Sequence, residues 1–134
     1  MYIINPTRKH SYRRPLNIFL DTHNSEIKEL ANTIFKKYFN AEENVIIKKH
    51  LEVLILDLYI AWNTDPKLEI VIQMSPNSYT KVRRYNQLNI NKIMIDVVTV
   101  LINHELIIGH EGLENNKKIT YVCASLTLEN YFKK

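Results

Sequence analysis

The sequence predicts a mostly helical α+β domain that closes with a small β-hairpin. Three observations carry this. Apolar residues recur at steps of three and four from residue 24 to 63 and again after residue 92, strand-like stretches are few and short, and both glycines of the chain, Gly109 and Gly112, fall in the segment that reads as a hairpin.

Residues 1–16, "MYIINPTRKHSYRRPL", hold two prolines, four positive charges and little periodicity, which predicts a flexible basic arm over about 1–20 and one domain over 21–134. Ile27, Leu30, Ala31, Ile34, Phe35 and Tyr38 then line one face of a helix over about 25–39, with Asn24 or Ser25 as N-cap. A second helix over about 42–63 carries Leu51, Leu54, Ile55, Leu58, Tyr59 and Trp62 on one face. It ends at "NTDP", because Asp65 precedes a proline and is pushed out of helical geometry.

"KLEIVIQMS", 67–75, alternates and is rich in branched residues, so it reads as a short strand that Pro76 and Asn77 break. Residues 77–90 are compatible with one or two helical turns or an ordered loop. Asn89 or Asn91 can cap a third helix over about 92–105, whose polar residues Lys92, Asp96, Thr99 and Asn103 share one face while the rest is almost wholly apolar. Its apolar flanks Ile95 and Ile102 call for a cover, either the N-terminal helix or a second copy in a homodimer. "LIIGHEGLENNKKITYVCAS" gives strand, polar turn and strand, with the glycines supplying permissive backbone angles, and Ser125 or Thr127 caps a short closing helix docked by Leu128, Tyr131 and Phe132.

Composition narrows the function classes. The chain has 134 residues, of which 46% are apolar, enough for one packed core. It has no run of 18 uncharged apolar residues and no secretory pattern at its start, so the expectation is a soluble cytoplasmic protein without membrane partners. Cys123 is the only cysteine, which excludes an internal disulfide and a cysteine-based zinc site and reads as a small core residue. The two His-Glu dipeptides, His104-Glu105 and His110-Glu111, do not have the helical four-residue histidine spacing of a zinc protease. With no glycine-rich phosphate loop and no supported Ser-His-Asp set, the expectation is a protein without catalysis, metal or cofactor.

The net charge of +4 is unevenly placed. Residues 1–15 hold Arg8, Lys9, Arg13 and Arg14 with no acid, and residues 76–92 hold Lys81, Arg83, Arg84 and Lys92, again with no acid. Isoleucine, asparagine and lysine are abundant together, so lysine number alone says little about a nucleic-acid partner. Arginine says more: all five lie inside these two segments, and a guanidinium suits bidentate contacts to phosphate or guanine.

From about residue 45 to 132, the order of helix, short strand, basic connection, apolar helix and hairpin resembles winged helix-turn-helix domains, in outline those of bacterial regulators and replication initiators. The most specific part is the junction from helix to wing. Val97, Val98 and Leu101, followed by Leu106 and Ile107, resemble the family's leucine, few polar residues and hydrophobic pair. Glu105 stands where that family usually has a helix-ending glycine, so Asn103 or His104 is expected in the left-handed conformation. The resemblance implies a winged helix-turn-helix with an extra N-terminal helix and a basic arm.

It also implies a site. In such domains the helix before the wing commonly enters the major groove and the wing touches the backbone or minor groove. The positions carried over are Asn89, Asn91 and Lys92 at the helix start, and Lys117 and Lys118 in the second wing strand. The residues themselves add Lys81, Arg83 and Arg84 as phosphate partners, Tyr79 and Tyr85 as hydrogen-bond donors or stacking platforms, and Arg13 and Arg14 on the arm. Over 92–105 the helix sets Lys92 against Asp96 and Glu105, so contact centred on "KVRRYN" and the helix start is favoured over readout along its length. The expected partner is double-stranded DNA, bound by a transcription regulator or replication-associated factor. Three other readings stand beside it: "KVRRYN" as a solvated loop pinned by its tyrosines, the same segment as a contact for an acidic protein partner, and a winged-helix interaction module that binds no DNA.

Overall fold

The computed structural model describes residues 13–15, 24–39, 44–66, 68–72, 92–114 and 117–133. In chain order the elements are β1 (Arg13–Pro15), α1 (Ser25–Tyr38), α2 (Val45–Thr64), β2 (Glu69–Ile72), α3 (Lys92–Asn103), β3 (Ile107–Glu114), β4 (Lys117–Ala124) and α4 (Leu126–Phe132). The protein is mostly helical with a small sheet, as expected of its α+β pattern.

The starts of α1, α2 and α4 each have a side chain that satisfies backbone N–H groups otherwise left without partners. Asn24 Oδ1 accepts from the Glu26 and Ile27 amides at 2.9 and 3.2 Å. Asn44 Oδ1 does the same for Ile46 and Ile47 at 3.0 and 3.1 Å, so α2 begins slightly later than its hydrophobic pattern suggests. Ser125 caps α4 by accepting from Leu128, and its own hydroxyl donates to the Leu106 carbonyl at 2.8 Å. The start of α4 is thereby tied to the junction between α3 and β3. At the other end of α2, Asp65 is extended ahead of Pro66, and its amide closes the last turn on Ala61 at 3.0 Å.

The second helix is the centre of the molecule. It packs against α1, α3, β2 and β4, and Leu51, Val53, Leu54, Ile55, Leu56, Leu58 and Ala61 are all buried on it. A helix touched from several sides is apolar nearly all round, which is why its pattern is less one-sided than that of α1. Tyr59 and Trp62 meet Phe132 at ring-centroid distances of 5.3 and 5.5 Å and so hold α4 against the end of α2. Ile102 is buried and Ile95 packs on the same core, so both flanks of α3 are covered within one chain.

Strand order is β1-β2-β4-β3, with β2, β4 and β3 antiparallel and β1 parallel to β2. The hairpin's second strand therefore returns beside β2. Ile70, Ile72 and Val122 have no exposed surface, and Glu69, Val71, Tyr121 and Cys123 on the opposite parity are buried as well.

Three sequence expectations change here. Arg13, Arg14 and Pro15, expected on a free arm, pair with Glu69, Ile70 and Val71. The open edge of β2 offers backbone groups that a neighbouring strand satisfies, and an edge is where a proline is tolerated. Gly109 and Gly112 lie inside β3, and no described glycine has a positive φ. They are strand residues, and residues 115–116 lie outside the described residues.

The third concerns the end of α3. Neither Asn103 nor His104 is left-handed; Glu105 itself is, at φ 59°. The Glu105 amide bonds the Ile102 carbonyl at 3.0 Å and the Leu106 amide bonds that of Leu101 at 2.9 Å. This pair of bonds is the Schellman stop, in which two of the orphan carbonyls at a helix end are satisfied. Leu106 and Leu101 are both fully buried, supplying the hydrophobic contact that accompanies such a stop and holding an unfavourable residue in place.

Candidate nucleic-acid interface

Lys81, Arg83, Arg84, Tyr85, Asn89 and Asn91, with Tyr79, lie outside the described residues. Lys92 is the first residue of α3, directly after that segment. Lys117 and Lys118 open β4 and pair with Glu114 and Leu113, at the end of the hairpin that extends beyond β2. Arg13 and Arg14 are in register with Glu69 and Ile70, at the opposite end of the sheet. Ile70 faces Val122 on β4, and Lys118 is four residues from Val122, so these two basic groups are separated by roughly 15 Å along the strands.

The outward face of α3 is well defined. Asp96, Thr99 and Asn103 are exposed, at the helical steps expected, and the neighbouring Met94, Val97, Val98, Leu101 and Ile102 are buried. The Thr99 hydroxyl donates to the Ile95 carbonyl at 2.8 Å, so its donor capacity is turned inward. With Glu105 exposed just past the helix, this face offers phosphates no cation among its described side chains. A carboxylate at its centre is unfavourable near phosphate or carbonyl acceptors, the amino group of cytosine excepted.

No family model, curated protein or solved structure matches the chain.

Two arrangements were not foreseen from the sequence. His110 on β3 and Glu69 on β2 form a buried pair, Nδ1 to Oε2 at 3.0 Å, that reaches across β4. The His110 ring lies 5.1 Å from that of Tyr121, its direct neighbour in register. The pair ties the base of the hairpin to the strand before the basic segment. Its only sequence signal is two polar residues at inward positions of otherwise apolar strands. The other arrangement is at the end of α1, where the Tyr38 ring lies 5.0 Å from that of His104, joining the C-terminal ends of α1 and α3.

The two His-Glu dipeptides thus have different fates, one at a helix end and one inside a strand. Among the described residues no group of three or more His, Cys, Asp or Glu side chains is placed to hold a metal ion. No described helix is long and apolar enough to cross a membrane. Asp57, in the apolar run of α2, is fully buried.

Proposed function

We propose that the protein is a non-catalytic double-stranded DNA-binding factor of winged-helix type, acting in transcription regulation or replication. The observation that carries this is connectivity. Strand β2, the acid-free segment after it, helix α3 and the hairpin β3–β4 follow one another, and β4 returns to pair with β2. Both ends of the basic segment are consequently fixed to the same core, at Ile72 and at Lys92.

In this reading the segment and the start of α3 do the binding. Lys81, Arg83 and Arg84 neutralise phosphates, Tyr85 stacks or donates, and Asn89, Asn91 and Lys92 meet the groove edge. Lys117 and Lys118 add backbone contacts from the hairpin, and Arg13 and Arg14 at the sheet edge form a separate, weaker electrostatic contribution. The acidic centre of the α3 face supports a contact restricted to the helix start. The same observation is what favours the second reading, an interaction module that binds no DNA.

Fluorescence anisotropy on a labelled duplex of mixed sequence tests the choice. Binding at low salt that weakens linearly on a logarithmic salt scale is expected of phosphate neutralisation. No binding at low salt would leave the interaction module as the reading.

A further inference from the structure

We draw no further inference here: the strongest candidate, the buried Glu69–His110 pair bonded at 3.0 Å across β4, is a brace within the sheet that no further described side chain turns into a metal site, and residues 73–91, which follow directly on β2, lie outside the described residues, so nothing shows which charges face it.

Discussion

Among the described residues Glu105 is the one non-glycine residue with a positive φ, a backbone its side chain disfavours. An L-residue in the left-handed region costs roughly 1–2 kcal/mol, and a glycine there avoids that cost while losing more freedom on folding. Glu105→Gly is therefore expected to stabilise the chain by about 1 kcal/mol net, read as a higher urea midpoint at unchanged slope. An unchanged or lower midpoint would mean that the Glu105 side chain makes a compensating contact. The Glu69–His110 pair makes a second prediction at this scale. Removing one member of a buried hydrogen-bonded pair takes a partner from the other, so Glu69→Leu and His110→Phe should each cost about 1–3 kcal/mol. The double variant should cost less than the sum of the singles. Additive effects would show that the two side chains act separately despite their 3.0 Å approach.

At the scale of elements, α1, α2, α3 and α4 follow from apolar spacing and capping chemistry, and their observed bounds differ from the expected ones by a few residues at most. Asn44 illustrates why: the apolar rhythm leaves the first turn of α2 open, and the cap decides it. Asn44→Ala should lower stability by about 1 kcal/mol in thermal or urea unfolding. An unchanged stability would mean that burial of Ile47 and Leu51 alone sets the helix start. What the sequence could not reveal has a common physical cause. β1 exists because β2 has an edge to be covered, Gly109 and Gly112 are strand residues because of pairing with Val122 and Ile119, and His110 finds Glu69 only after three strands are assembled. These are long-range facts, whereas periodicity and caps are local. The candidate site was legible in another sense: the clustering of arginine is a property of the sequence, and the structure adds that the α3 face beside it carries Asp96, Thr99 and Asn103.

For the molecule as a whole, α2 is the support shared by the elements that flank the proposed site. It packs against α1, α3 and the sheet, so the two ends of the basic segment are held by one core. Leu101→Ala, at a fully buried position of α3 facing that core, should cost about 2–5 kcal/mol and weaken duplex binding only by lowering the folded fraction. Arginine removal from 76–92 should instead weaken duplex binding at unchanged stability. The most direct measurement of the central claim is the salt dependence of duplex affinity for the wild type and for Arg83→Ala combined with Arg84→Ala. If those guanidinium groups hold phosphates, affinity falls and the logarithmic salt slope shrinks by about 0.9 for each phosphate no longer neutralised, close to two in all. An unchanged slope and affinity would contradict DNA binding through this segment.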